Sequence, residues 1–370
     1  MRGFIRLILV FIFAFLQLLL IQCNKPSEPE FVDLSWKVDT LWFDNEFQIA
    51  VRGIWGSSSS DVYVVGHSSS SLGEMWHYDG VKWSIVNLRE RIRGVRSYSD
   101  VFGFSDKDVW AAGSIGFWIR TYHLIHYDGV NWNYVPIWGS EGGYLSKHGY
   151  LTTIDGLYPR LWAGGNNVIF YYDGSSWMRD SIEITGGRGF VVLDIAPVSD
   201  TEVYALANRE YSDTLGLDFS SYLLRRNDSG IWVVVDSFRC NYRYSERCDN
   251  WKWGRLSLWV SPSSGELYLV GPDLTRWNSG HPENIFYHPG LIKVFGTSDN
   301  DIWAITYKAI FHFDGENWRF INELPNEFEM GYESVGLIYT DGWTDGSSVF
   351  IIAHTDNFPM KGIVFHRRLK

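Results

Sequence analysis

His77-Tyr78-Asp79-Gly80-Val81-Lys82-Trp83 returns as His126-Tyr127-Asp128-Gly129-Val130-Asn131-Trp132, then as Tyr171-Tyr172-Asp173-Gly174-Ser175-Ser176-Trp177 and as His312-Phe313-Asp314-Gly315-Glu316-Asn317-Trp318. Asp-Gly after an apolar run marks a tight turn, because Gly takes positive φ freely and Asp tolerates it. Self-similarity at a period of roughly 40–50 residues, in strand-like sequence, is the mark of a propeller or another stacked array.

The second copy shows what one unit contains. Val101-Phe102-Gly103-Phe104 is ended by the turn cluster Ser105-Asp106-Lys107-Asp108 and followed by Val109-Trp110-Ala111-Ala112-Gly113. His123-Leu124-Ile125-His126-Tyr127 leads into the Asp-Gly turn, and Trp132-Asn133-Tyr134-Val135 closes the unit. Four short antiparallel strands of this kind make one propeller blade, which cannot bury both faces alone and so must stack on neighbours. Further copies begin near Gly53, Tyr150, Leu193, Leu256, Lys293 and Val335; the fourth is looser and the fifth lacks the Asp-Gly turn. The expected fold is all-β, a propeller of seven four-stranded blades, with six or eight as the alternatives. The last copy stops at His366 with three strands, and Leu34-Ser35-Trp36-Lys37-Val38 resembles the missing fourth. The N-terminal strand is therefore expected on the C-terminal blade, closing the ring and removing an exposed edge.

Ahead of the repeats, Arg2 and Arg6 flank an apolar run from Leu7 to Ile21, short for a membrane span, so residues 1–22 read as an export signal. Leu20-Ile21-Gln22-Cys23 resembles a bacterial lipoprotein signal, with Gln22 standing where a small residue is usual. The resemblance implies that Cys23 carries lipid and becomes the mature N-terminus; an uncleaved anchor and a plain secretory signal are the alternatives. Residues 23–33 then form a tether and 34–370 the propeller. Asn24, in place of the Asp that some bacteria use for inner-membrane retention, favours the outer membrane within the cell envelope.

Of the three cysteines, Cys240 and Cys248 remain, close together in an exported setting. They are expected to pair in a disulfide, two free thiols being the alternative. No His/Cys cluster completes a metal site, and no cofactor is implied. A net charge of −11 disfavours nucleic acid, whose phosphates need a basic patch, and keeps an exported monomer soluble. The 17% aromatic content recurs at blade positions, where flat rings pack between sheets.

The turn residues Asp79, Gly80, Trp83, Asp128, Gly129, Trp132, Asp173, Gly174, Trp177, Asp314, Gly315 and Trp318 read as repeat-defining structure, the carboxylates capping local N–H groups. His77, His126, His312 and His366 share one repeat position, so the ring separates them and they cannot share a metal. Asp61, Asp108, Asp301 and Glu202 precede second strands and read as turn residues. What interrupts the repeat is more informative, because propellers bind through loops on a rigid frame. Three insertions stand out, at 208–221, 238–253 and 272–289. The middle one carries Arg239, Tyr242, Arg243, Tyr244, Arg247, Trp251 and Trp253, a mixture of aromatic faces and Arg suited to a sugar or an acidic peptide.

The Ser-x-x-Asp-(Val/Ile)-(Tyr/Trp)-x-x-Gly and Tyr-Asp-Gly-x-x-Trp phrases resemble propeller repeats common in bacterial exported lipoproteins, some of which carry a "glucosyltransferase" label. The resemblance covers about Val51 to Arg367 and implies the fold far more than any activity. The phrase also resembles the sialidase Asp-box, whose Trp lies one residue further from its Asp; no arginine triad or Tyr nucleophile can be assigned. The expected function is a lipid-anchored, non-enzymatic propeller that engages a protein or glycan partner. The alternative is a carbohydrate-active enzyme with a site built from loops at the axis.

Overall fold

The computed structural model describes residues 35–369 except 71, 93, 95, 117–120, 138–148, 185–188, 214–215, 242–252, 272, 279, 289, 325–326 and 331–332. All its regular elements are strands, and they fall in the compact unit Trp36–Lys370. The export signal of residues 1–22 and the 23–33 tether lie outside the described residues.

After β1 (Lys37–Leu41) come the antiparallel meanders. The first comprises β2 (Ile49–Ser58), β3 (Asp61–Ser68), β4 (Met75–Tyr78) and β5 (Trp83–Ile85). The next comprises β6 (Arg96–Ser105), β7 (Asp108–Ile115), β8 (Thr121–Tyr127) and β9 (Trp132–Tyr134). These two are linked through the single bridge His67↔Ser97 into one eight-stranded sheet. Then come β10 (Leu151–Leu157), β11 (Arg160–Gly165), β12 (Val168–Tyr172) and β13 (Trp177–Arg179). β14 (Ser181–Glu183) joins in parallel the sheet of β15 (Val191–Ser199), β16 (Glu202–Asp213), β17 (Gly216–Arg226) and β18 (Ile231–Asn241). A further sheet holds β19 (Ser257–Val260), β20 (Leu267–Val270), β21 (Asp273–Asn278) and β22 (His281–Tyr287). It is followed by β23 (Leu291–Ser298), β24 (Asp301–Thr306), β25 (Ile310–Phe313) and β26 (Trp318–Phe320). The last sheet contains β27 (Glu327–Met330), β28 (Glu333–Thr344), β29 (Ser348–Thr355) and β30 (Gly362–Arg368), with β1 on its far edge.

The first strands of the meanders touch in a cycle, β2 to β6, β10, β15, β19, β23, β28 and back to β2. All of them line one axial cavity. This is a β-propeller arrangement. Every hydrophobic cluster draws on two neighbouring meanders. Val62 and Val64, for example, pack with Phe350 and Ile352, and Trp110 and Leu124 with Ile154 and Leu161. The core is thus a set of apolar layers between sheets, with the second strands of the meanders buried on both faces, as β29 is from Ser348 to Ala353.

The ends of the unit meet in one sheet. β1 pairs antiparallel with β30 from Lys37↔His366 to Leu41↔Gly362, three residues later than the stretch expected from sequence. Asp39 Oδ2 lies 2.9 Å from His366 Nε2 and accepts from Trp83 Nε1 at 3.2 Å. The Arg367 guanidinium lies over the Trp36 ring, 4.6 Å from its centroid.

Two of the three expected insertions are strands instead. Residues 208–221 are the extension of the β16–β17 hairpin, whose paired register runs out to Asp213↔Gly216. Pro272–Pro289 supplies β21 and β22, the outer pair of its sheet. Outer strands face partly to solvent, so His281–Tyr287 carries little apolar patterning and reads as loop.

Leu41 is fully buried at the closure whereas Val38 is 46% exposed on the same strand. Leu41→Ala is expected to cost about 3 kcal/mol in urea unfolding, and Val38→Ala less than about 0.5 kcal/mol. Equal effects at the two positions would show that β1 does not fasten the ring in solution.

Candidate functional site

The axis is shaped by a β-bulge in the first strand of six meanders. Register slips between Val51/Gly53, Tyr98/Asp100, Leu151/Thr153, Val192/Asp194, Leu291/Lys293 and Tyr339/Asp341. A bulge bends the strand and re-aims the side chain that follows it. Asp100, Asp194, Lys293 and Asp341 stand directly after their bulges and line a cavity of about 450 Å³. Two residues further along the same strands come Trp55, Phe102, Asp155, Ala196, Phe295 and Trp343, which with Trp259 form a second tier of the lining. The cavity is therefore lined by one tier that carries charge and a second that is aromatic at five positions, with Asp155 and Ala196 as the exceptions, beside aliphatic residues such as Leu157 and Val260.

The carboxylates of the first tier are acceptors that tie neighbouring meanders together. Asp100 Oδ2 accepts from Ile154 N at 2.9 Å, Asp194 Oδ2 from Leu258 N at 2.9 Å, and Asp341 Oδ2 from Ile54 N at 3.4 Å. In each the other oxygen takes the next N–H of its own chain, at Val101, Ile195 and Gly342. Thr153 Oγ1 adds a bond to Asp194 Oδ1 at 3.1 Å, and Lys293 Nζ lies 3.5 Å from Asp194 Oδ2. Asp155 is different: half-buried, it accepts from its neighbour Gly156 N at 2.7 Å and ties no second strand.

Burial dominates the electrostatics. It pushes the Asp100 carboxyl up to about 7 and Asp341 up to about 6, although Lys293 pulls both back. Asp155 is raised well above the usual carboxylate range by burial, with Asp194 and Asp100 adding to the rise. Burial would lower the Lys293 ammonium, yet the surrounding aspartates, Asp194 foremost, hold it above its ordinary value.

A second motif repeats on the flanks. His77 Nε2 lies 2.6 Å from Asp61 Oδ1, His126 Nε2 2.8 Å from Asp108 Oδ1, and His312 Nε2 2.8 Å from Asp301 Oδ1. Each imidazole stacks on the aromatic residue opposite it on the adjacent strand, at 4.4 Å on Tyr63, 3.8 Å on Trp110 and 4.2 Å on Trp303. His366 does the same with Phe350, its acid coming from β1 as Asp39. In two other meanders arginine takes the place of the histidine, Arg276 reaching Glu266 at 3.1 Å and Arg225 reaching Glu202 at 3.9 Å, while the third repeat has Tyr171 there, stacked on Trp162. The acids read from sequence as turn residues are therefore one half of a cross-strand acid–base pair. His366 holds the Asp39 carboxyl below its ordinary range.

The Asp-Gly turns are closed by their own carboxylates. Asp79 Oδ1 accepts from Val81 N and Lys82 N at 2.9 and 2.8 Å, Asp128 from Val130 N and Asn131 N at 2.9 and 2.7 Å. Asp173 takes Ser175 N and Ser176 N, both at 2.8 Å, and Asp314 takes Glu316 N and Asn317 N at 3.1 and 2.9 Å. Gly80, Gly129, Gly174 and Gly315 all adopt φ between 85° and 98°. The Ser176 and Ser175 bonds hold Asp173 down to about 2. Trp83, Trp132, Trp177 and Trp318 start the strands that follow these turns. The looser fourth copy uses the same device with a longer turn, Asn227 Oδ1 accepting from Ser229 N and Ile231 N at 3.0 and 2.9 Å.

Among the residues expected to bind, Arg239 is exposed on β18 opposite Ser220. Trp253 is a correction. It is 2% exposed, packs edge-on against Phe238 and donates from Nε1 to Asp236 Oδ2 at 2.9 Å, so its ring belongs to the core. Tyr242, Arg243, Tyr244, Arg247 and Trp251 lie outside the described residues, as do Cys248 and Cys23. Cys240 is on β18, opposite Phe219. Among the described residues no group of three or more His, Cys, Asp or Glu could hold a metal ion. The axial set went unread because its members share no local phrase: Asp100, Asp194, Lys293 and Asp341 are linked only by their place after a bulge.

No protein-family model and no curated protein matches the chain. Solved structures do resemble it. YCF48 bound to D1 peptide superposes with a TM-score of 0.56 at 14% identity, over 92% of this chain and 99% of that one. An extracellular domain described as part of a hybrid two component system from B. thetaiotaomicron gives 0.53 at 12% identity, over 89% of this chain and 42% of that one. Raptor from Chaetomium thermophilum gives 0.51 at 11% identity, over 90% of this chain and 30% of that one. At these identities the likeness concerns the fold, and the class of protein it defines is the β-propeller.

The raised acids of the first tier have a pH signature. A carboxyl whose folded pKa exceeds its unfolded value of about 4 holds its proton better in the native state. Its contribution is full below that unfolded value and is lost as pH rises toward about 7 for Asp100. Wild type is therefore expected to lose stability relative to Asp100→Asn between pH 4 and 7 in urea titrations. Parallel pH profiles for the two proteins would refute a proton-holding Asp100.

Proposed function

We propose that this chain is an exported, lipid-anchored binding propeller of the cell envelope, engaging a protein or glycan partner without catalysing a reaction. The observation that carries the reading is the use of its repeated chemistry: the histidines pair with acids across strands and the turn aspartates cap their own backbone. What remains for function is a rigid frame and what it displays. A propeller of matching size bound to a peptide, YCF48, supports a peptide-sized partner. We read each four-stranded meander as one blade and the eight-stranded sheet as two, a reading that supports seven blades with β1 completing the last. The anchor rests on the signal-like segment ending at Cys23, and the outer membrane is the favoured site.

One observation favours an axial enzyme: acids raised to about 7 and 6 face a single cavity, as a general acid requires. Against it, both oxygens of Asp100 and Asp341 are already bonded to backbone N–H groups.

Metabolic labelling with a fatty-acid probe is expected to mark the wild type and not Cys23→Ala, and crosslinking in intact cells to trap a discrete partner. Unlabelled wild type removes the anchor from the reading. Turnover of glycosides abolished by Asp100→Asn would replace binding with catalysis.

A further inference from the structure

The aromatic tier of the axial cavity has one member out of character. On the first strands of the meanders this tier holds Trp55, Phe102, Trp259, Phe295 and Trp343, and a small Ala196, but on β10 it holds Asp155. The departure is not explained by packing between sheets. The other lining aspartates each grip the N–H of a neighbouring strand, and Asp155 does not. Its half-buried carboxyl group keeps hydrogen-bonding capacity beyond the Gly156 bond.

Charge settles what such a group faces. Four carboxylates line the cavity against the one ammonium of Lys293, which sits nearest to Asp194. Burial and the neighbouring acids Asp194 and Asp100 hold the Asp155 carboxyl well above its usual range, so it keeps its proton until a cation placed beside it draws that proton off and leaves a carboxylate as its partner. A neutral sugar would leave that proton in place, whereas an entering cation displaces it and finds aromatic faces alongside. The volume of about 450 Å³ suits a side chain or two rather than a folded surface.

We propose that the axial cavity takes a protonated arginine or lysine side chain from a partner protein segment, with Asp155 as its counter-ion in the aromatic tier. This rests on the binding reading and narrows the partner to a protein that presents a basic side chain. Asp100, Asp194 and Asp341 set the field and hold the strands; Asp155 makes the contact.

The test is calorimetric titration of the full chain with three capped pentapeptides, Gly-Gly-X-Gly-Gly, in which X is arginine, lysine or the neutral citrulline, and with chitotetraose. Saturable binding is expected for arginine or lysine and not for citrulline. Asp155→Asn should weaken it by roughly tenfold or more, and Asp155→Phe, which completes the ring of aromatics, should abolish it while near-ultraviolet circular dichroism shows the fold retained. Equal binding of citrulline, unchanged affinity in Asp155→Asn, binding of the sugar alone, or no binding at all would overturn the proposal. If crosslinking in cells traps the same partner with wild type and with Asp155→Asn, the axial site fails and the binding reading stands. If it traps none, the binding reading itself fails.

Discussion

Burial of both faces of each β-meander is the constraint on which everything else in this molecule depends. A four-stranded sheet with Val, Ile and aromatic side chains on both sides is insoluble alone, and it is satisfied only when another sheet covers each face. A linear stack would leave two faces bare. Bending the stack into a circle leaves none, and the clusters between meanders, including the one that joins Leu41 and Ile49 to Phe350 and Val364, show the circle complete. The pairing of β1 with β30 follows from that demand, because it makes the first and last parts of the chain members of one sheet.

Closing a circle crowds its centre. The first strands converge on the axis, where backbone from different meanders faces across a small space. The bulges answer the geometry by re-aiming the residue that follows them, and the aspartates answer the polarity, taking N–H groups of the first strand of the next meander. A buried N–H without a partner costs free energy comparable to a lost hydrogen bond, so these carboxylates have a structural reason to be there. Lys293 then keeps the group of acids from being wholly uncompensated. The flanks use a different solution to a related problem, pairing an imidazole stacked on an aromatic ring, or a guanidinium, with an acid near the neighbouring strand.

The fold was legible because its grammar is local. Asp128-Gly129 and Trp132 lie within five positions of one another, and the turn they specify is set by Asp128 bonding to Val130 and Asn131. The partnership of β1 and β30 was legible too, as a strand missing from the last repeat, although its register fell three residues from the sequence estimate because Trp36 turns to pack on Trp303 and Arg367 rather than entering the ladder. The acid–base pairs were half legible: His126 and Asp108 both stood out, but 18 positions separate them and only the antiparallel pairing of β7 with β8 brings them together. The axial set was not legible at all. Asp100 and Asp341 are 241 positions apart and come to line one cavity, on either side of β2, only through closure of the ring, a relation no local pattern carries. Trp253 misled for the opposite reason, since its setting among Arg and Tyr resembles a recognition loop while its indole is anchored on Asp236 inside the core.

The placement of β1 has a mechanical side. The residues before Lys37 run directly into the strand that clasps the ring, so tension along that stretch is met first by the Lys37–His366 rung and by Arg367 resting on Trp36. Hauling on the leading end would peel five rungs in succession and leave an incomplete last sheet, its apolar flank bare. The clasp is thus also a fuse, and the load those five rungs carry sets how hard the leading end can be pulled before the circle springs open.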